Sequence, residues 1–329
     1  MLAHVTKTPL ISIVICTFNR PLSLTRLIDT CIVHASPNGL RFEIVIADNS
    51  PSGYGRDIVK RYEGQSVTVR YVSAQPANIS IARNQGIAAA QSDIIAFLDD
   101  DVTIEAGWLD RMYATLDTSG ADCALSAVSA RPAEKPPAWD EECRQFVRSW
   151  PMPDGTPIPF ERGGGSPVTV STNASIWKRR KCFKDTAPFD PTFGKSGGED
   201  LDLFLRLRRE GLCIAWCGSA VVFEWVPANR MRFRYLFLRA FSGGQVFAAA
   251  VIHNADHSRL SALGLMLRGL LQCIGGCLLL LSHIVPYFMH GTRLTPALAT
   301  LLLKMAGAAG KCFWFYKIPL YSIEAASQR

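Results

Sequence analysis

Continuous apolar runs alternate with helically spaced ones through the N-terminal third of the chain. Residues 11–16 (ISIVIC) are unbroken apolar and mostly β-branched, the pattern of a strand buried on both faces. A break follows at Thr17, Phe18, Asn19 and Arg20, and Pro21 suits the first turn of a helix. Leu24, Leu27, Ile28, Cys31 and Ile32 then recur at helical spacing, giving that helix one buried face. The same reading predicts strands over 43–47, 68–72 and 93–98, with helices near 54–62 and over 79–90. Strand and helix in this rhythm predict an α/β fold, a mostly parallel sheet flanked by helices.

Ligands of such sheets bind beyond the carboxyl ends of the strands. Three polar clusters fall at those ends: Thr17-Phe18-Asn19, Asp48-Asn49 and Asp99-Asp100-Asp101. Parallel strands bring the three to one edge. Neither GxGxxG after the first strand nor GxxxxGK[ST] occurs, which disfavours a dinucleotide or P-loop site. Three consecutive carboxylates repel one another, and a hard divalent cation would offset that repulsion through oxygen ligands. A solvated acidic turn is the other reading of the same residues.

Residues 131–167 are rich in Pro and Gly and read as a long irregular segment, either a binding loop or a plain insertion. Residues 201–209 then form an amphipathic helix. Asp200 projects into its apolar arc, whereas Asp202 falls on the opposite side near Arg206 and Arg209, the place of a solvated i,i+4 partner. Asp200 is thus an acid at a helix start on the buried side, following two glycines that permit close approach. A simple helix cap is the alternative. The Lys178-Arg179-Arg180-Lys181 cluster reads as solvated basic surface, with contact to an acceptor's phosphate as the other reading.

Composition divides the chain. It is 48% hydrophobic and 19% charged, with a net charge of +7. From residue 229 onward eleven Lys and Arg face two acids, Asp256 and Glu324, so this third alone carries +9. Its arginines Arg230, Arg232, Arg234 and Arg239 interleave with Phe233, Tyr235 and Phe237, which suggests an interfacial helix. Residues 270–289 hold no Asp, Glu, Lys or Arg, enough length for one crossing, although Gly275, Gly276 and Pro286 also allow an interfacial lie. A weaker candidate, 294–316, is interrupted by Lys304 and Lys311. A hairpin of the two would put Arg293 outside and the arginine-rich flank in the cytosol. The pattern points to an anionic membrane surface, and no nucleic-acid motif is present. The N-terminus lacks a signal-peptide pattern, and the ten cysteines show neither a disulfide framework nor zinc spacing.

Taken together, SIVICTFNRP, VIADNS, ARNQGI, FLDDD and GGEDLDLFLRLRREG resemble a family 2 glycosyltransferase with the GT-A, Rossmann-like fold. The run VVFEWVPANRMRFRYLFLRAFSGG further resembles bacterial exopolysaccharide glycosyltransferases of the succinoglycan type. The resemblance implies a catalytic domain over 1–228, with a nucleotide-sugar half at 9–101 and an acceptor half at 102–228, and a membrane-associated region over 229–329. It implies that Asp48 bonds the nucleotide base, that Thr17, Phe18 and Asn19 line its pocket, and that Arg83 lies near the diphosphate. Asp99 and Asp100 would contact ribose and sugar, and Asp101, with Asp99, would hold Mg²⁺ or Mn²⁺. Asp200 would be the general base, with Glu199 as runner-up. The implied activity is inverting transfer of a hexose from a nucleotide sugar, a UDP-sugar foremost, to a lipid-linked saccharide at the cytoplasmic face of the inner membrane. No QxxRW follows the acidic pair, which favours addition of single sugars. Transfer to polyprenyl phosphate, sugar nucleotidyl transfer and a non-catalytic membrane assembly role remain as alternatives.

Overall fold

The computed structural model of the chain describes residues 10–161, 163–289, 294–316 and 318. The first apolar run is β1 (Ile11–Thr17), buried throughout. Its residues alternate between two cores: Ile11, Ile13 and Ile15 enter one, Val14 and Cys16 the other. α1 (Pro21–His34) begins on its proline and buries Leu24, Leu27, Ile28 and Cys31. Next come β2 (Phe42–Asp48), the short α2 (Gly55–Lys60) and β3 (Thr68–Ser73). α3 (Ile79–Ala89) is capped by Asn78, whose side chain accepts from the N–H groups of Ser80 and Ile81. β4 (Ile94–Asp99) completes the parallel half. Pairing sets Thr17 opposite Asp48 and Cys16 opposite Asp99, so the polar strand ends do share one edge.

The second half is harder to read from the pattern. It contains β5 (Val102–Ile104), α4 (Trp108–Thr118), β6 (Cys123–Pro132), β7 (Ser175–Lys178), α5 (Arg179–Cys182), α6 (Glu199–Arg209) and β8 (Ile214–Val226). All eight strands form one sheet, ordered β3-β2-β1-β4-β7-β6-β8-β5. β7 lies antiparallel between β4 and β6, and β8 runs parallel to β6 but antiparallel to β5. Four of the seven pairings are parallel, so the sheet is mixed with a parallel majority. α1 and α4 cover one face, and α3 and α6 the other. Beyond Pro132 the 131–167 segment is irregular, as expected, but it is packed: Cys143, Phe146 and Ile158 are buried, and Arg148 bridges to Val128.

The last helices among the described residues are α7 (Phe233–His253), α8 (Ser258–Met289) and α9 (Pro296–Cys312). Among the described residues two stretches are long and apolar enough to cross a membrane: α7, whose most apolar 18 residues are 56% buried against protein, and Ser258–Ser282 of α8, where the corresponding share is only 11%. α7 is therefore largely a packing helix. The 270–289 run is the later part of a longer helix, and Arg293 lies outside the described residues.

Gly86 sets the distance between α3 and the sheet, because a Cβ there would overlap Val14 Cγ1 of β1. Gly86→Ala is expected to destabilise the fold by about 1–3 kcal/mol through overpacking. The measurement is the denaturant midpoint at constant m-value, and an unshifted midpoint would contradict this packing.

Candidate active site

The end of β1 carries Thr17, whose Oγ1 donates to Asp100 Oδ2 at 2.7 Å and shares a hydrogen bond with the Tyr54 hydroxyl. That hydroxyl also accepts from the Arg20 N–H at 3.0 Å. Phe18 is about half exposed at the rim, and Asn19 has a left-handed backbone, φ 54°. At the end of β2, Asp48 is fully buried and closes onto its own turn, accepting from Ser50 N–H at 2.9 Å, the Ser50 hydroxyl, and Gly55 N–H at 2.8 Å. Only glycine fits comfortably at 55, since a Cβ would lie 3.0 Å from Asp48 Oδ2.

The three aspartates after β4 sit in three different environments. Asp100 is buried, and burial pushes its carboxyl up to about 6 against the pull of Arg20, whose Nη1 lies 3.0 Å from Oδ1. At Asp101 burial acts the same way but is outweighed by Arg20 at 3.0 Å and Arg230 at 3.2 Å, so its carboxyl stays below the usual range. Asp99 has no such clamp. Its closest cation among the described residues, Arg83 Nη2, stands 4.0 Å away. Although the tip of Asp99 is open to solvent, the protein around its carboxyl and the neighbouring acids push it up to about 8.

Glu199 and Asp200 open α6 directly after Gly197 and Gly198, both left-handed, with φ 87° and 97°. A Cβ on Gly198 would collide with Val246 of α7. Arg83 of α3 reaches this pair: its Nη1 lies 2.5 Å from Glu199 Oε1 and 2.8 Å from Asp200 Oδ1, with the guanidinium 5.3 Å above the Phe189 ring centroid. Burial raises Glu199 despite this arginine. Asp200 also accepts from Thr172, at 2.9 Å from Oγ1 to its Oδ1 and at 3.1 Å from the backbone N–H to its Oδ2.

Thr172 is itself buried, in a turn held by Arg148. That guanidinium donates to Ser126 O at 2.7 Å, Ser171 Oγ at 3.1 Å, Asn173 O at 2.8 Å and Ala174 O at 2.9 Å. Ala174 has φ 55°, a strained value for a residue with a Cβ. Burial brings Arg148 down to about 10. The same turn reaches the other acidic group, for Asn173 Oδ1 accepts from the Asp99 N–H at 3.1 Å.

The ten residues expected from sequence lie along one edge of the sheet and at the start of α6, with Arg83 reaching from α3 and Asp48 closed onto its own turn, and Arg20, Tyr54, Arg148, Thr172 and Arg230 join them without having been expected. Arg20 stood beside the TFN cluster and Arg230 within the basic run, so position pointed to both. Arg148 and Thr172 gave no signal, because their roles depend on contacts between distant segments. Asp202 reverses its expected environment. It pairs with Arg206 at 3.0 Å as foreseen, yet it is fully buried under α7, where Asn254 Nδ2 donates to it at 2.8 Å.

No group of three or more His, Cys, Asp or Glu converges as a ready-made cation cage among the described residues. The donor chemistry nevertheless fits Mg²⁺ or Mn²⁺, since such ions are commonly held by one or two carboxylates with substrate phosphates completing the shell. Asp99 is the more open carboxylate, while Asp101 Oδ2 is engaged by two guanidinium groups.

Arg148→Met would leave four buried or partly buried acceptors without their donor, at a cost of about 2–4 kcal/mol. Amides of 171–174 are expected to lose hydrogen-exchange protection while those of β1 keep theirs. Equal protection in the two proteins would show that Arg148 does not hold the turn.

Comparison with known proteins gives a consistent picture. The model of the family described as "Glycosyl transferase family 2" matches residues 12–183. The succinoglycan biosynthesis protein ExoM of Rhizobium meliloti is 31% identical over 250 residues, 76% of this chain and 77% of that protein. A pre-mycofactocin glycosyltransferase of Mycobacterium tuberculosis is 30% identical over 251 residues, 73% of this chain but 50% of its own length. Among solved structures, S. aureus TarS 1–349 in complex with UDP superposes with a TM-score of 0.50 at 14% identity, covering 93% of this chain and 90% of that one. GalNAc-T7 with UDP, GalNAc and Mn²⁺ gives 0.52 at 13% identity, covering 78% and 54% respectively. At these identities the two structures share the fold.

Proposed function

The chain belongs to glycosyl transferase family 2 and has the GT-A fold, and on that premise we propose that it moves a hexose from a UDP-sugar to a lipid-linked saccharide, with inversion and without processive polymerisation. One observation carries the reading: Asp99, the first of the aspartates at the parallel strand ends, and Glu199–Asp200 at a helix start all face the same guanidinium, that of Arg83. The first group suits a donor and its leaving diphosphate, the second an acceptor.

On the donor side, Thr17, Phe18, Asn19 and Asp48 would line the nucleoside pocket, with Asp99 and Asp100 at ribose and sugar. Asp101 and Asp99 would hold Mg²⁺ or Mn²⁺, which when bound supplies positive charge to the diphosphate as it leaves. Arg20 and Arg230, now paired with Asp101, would add donors for the same charge. UDP in both fold neighbours and Mn²⁺ in one support this donor and cation.

On the acceptor side Asp200 would take the proton. Its Oδ1 accepts from Thr172 Oγ1 and is ion-paired with Arg83 Nη1 at 2.8 Å, whereas among the described residues Oδ2 accepts from the Thr172 N–H alone. One lone pair on Oδ2 is left for the acceptor hydroxyl. As that oxygen bonds to the anomeric carbon, its proton passes to Oδ2, and the bond from carbon to diphosphate oxygen breaks on the opposite face. The outcome is inversion by single displacement. Glu199, deeper and bonded to Arg83, is the less accessible base.

The assignment of 1–228 as the catalytic domain and 229–329 as its membrane-associated region belongs to the same proposal. The succinoglycan relative supports a role in saccharide assembly, and the apolar, basic C-terminal third supports a lipid-linked acceptor at the cytoplasmic face of the inner membrane.

Asp101→Ala and Asp200→Asn are each expected to lower transfer by about 100-fold or more. Thr172→Val should lower turnover by about tenfold, with Thr172→Ser restoring it. The assay is nucleoside diphosphate release with native lipid extract. Normal transfer by either aspartate variant would sink the role assignment, and pyrophosphate as product would indicate nucleotidyl transfer.

A further inference from the structure

α8 is about 48 Å long at 1.5 Å per residue, and it packs chiefly on α9 and to a smaller extent on α7. On the face toward α9 a Cβ at Gly269 would meet Ala308 O at 2.6 Å and one at Gly276 would meet Met305 at 2.5 Å. The opposite face is apolar. Leu260, Leu263, Leu267, Ile274, Leu278 and Leu281 are each at least half exposed. At 100° per residue they fall within about 60° of arc, a stripe roughly 32 Å long. Arg259 and Arg268 lie on either side of it.

The direction of α9 decides how this stripe can meet a lipid surface. α9 runs alongside α7 in close backbone contact, Gly307 against Gly244 and Gly310 against Phe241. α7 in turn lies along the catalytic body. Tyr235 and Leu236 share a cluster with Val226, Phe146 and Leu303 of α9, while Ala249 and Ala250 pack on Phe193 and Leu205. The middle of α9 is thus level with the Arg144–Phe146 turn, where Arg144 and Glu142 form an exposed ion pair. A bilayer crossed by the α8–α9 hairpin would draw these ionised groups to the depth of Leu303, a placement that hydrocarbon strongly disfavours.

We propose that α8 lies in the plane of an anionic bilayer surface with its leucine stripe down, so that the α8–α9 hairpin rests on one leaflet and does not cross it. The basic excess of the C-terminal third, with Arg259 and Arg268 flanking the stripe, supplies the complementary charge. This deepens the membrane reading given above and rests on it.

Sidedness tests it directly. A Thr292→Cys protein in sealed membrane vesicles of both orientations would be treated with a membrane-impermeant maleimide, and Cys213, exposed on the catalytic body, marks the body's side. Position 292 should react from the same side as Cys213. Reaction from the opposite side, or from neither, would overturn the proposal. In a second measurement, Leu267→Glu with Ile274→Glu should weaken binding to vesicles of phosphatidylethanolamine and phosphatidylglycerol by about tenfold or more, with transfer in detergent unchanged. Parent-like binding of that variant overturns the orientation of α8. A parent chain with no affinity for these vesicles overturns the membrane reading itself.

Discussion

A buried guanidinium ties the two acidic groups of the site together. Arg83, on a helix of the parallel half, reaches Glu199, which is 116 residues away in sequence, and Asp200 beside it, and it faces Asp99. Desolvating these carboxylates is costly, and only a close, well-oriented cation offsets it. Arginine suits the position because its planar fork can serve several acceptors at once while its face rests on Phe189. Removing it would leave like charges facing each other in a poorly solvated space. The remaining geometry, including the glycine-led start of α6 and the Thr172 turn, is arranged around that fork.

The acids on either side of Arg83 differ because their other neighbours differ. Arg20 and Arg230 hold the Asp101 carboxyl low, whereas among the described residues Asp99 has only the distant edge of Arg83. Three identical residues in a row therefore offer three different oxygen sites. Sequence identifies the charge, and the surrounding arginines apportion it.

What could be read from the sequence follows from the range of the interactions. β1 to β4 were legible because strands buried on both faces need continuous apolar runs. The acidic clusters were legible because nothing in local folding accounts for them. β7, only four residues long and antiparallel, carried no such pattern. Arg148 sat in a Pro- and Gly-rich stretch and gave no hint that it would clamp a turn more than twenty residues later. Asp202 was misplaced for a related reason: helical spacing tells which residues share a face, but α7, which covers that face, comes later in the chain. The apolar C-terminal run was visible, but its attachment to the catalytic body through Leu303 was not.

Gly198 has a mechanical consequence. With Val246 of α7 pressed against its bare backbone, the first residue before α6 has no slack in which to move. Asp202, one turn further along α6, and Asn254, at the C-terminal end of α7, tie the same two helices again. α6 and α7 are thus tied at two points, and moving α7 relative to the glycine that leads into Asp200 would require breaking close packing or a buried hydrogen bond.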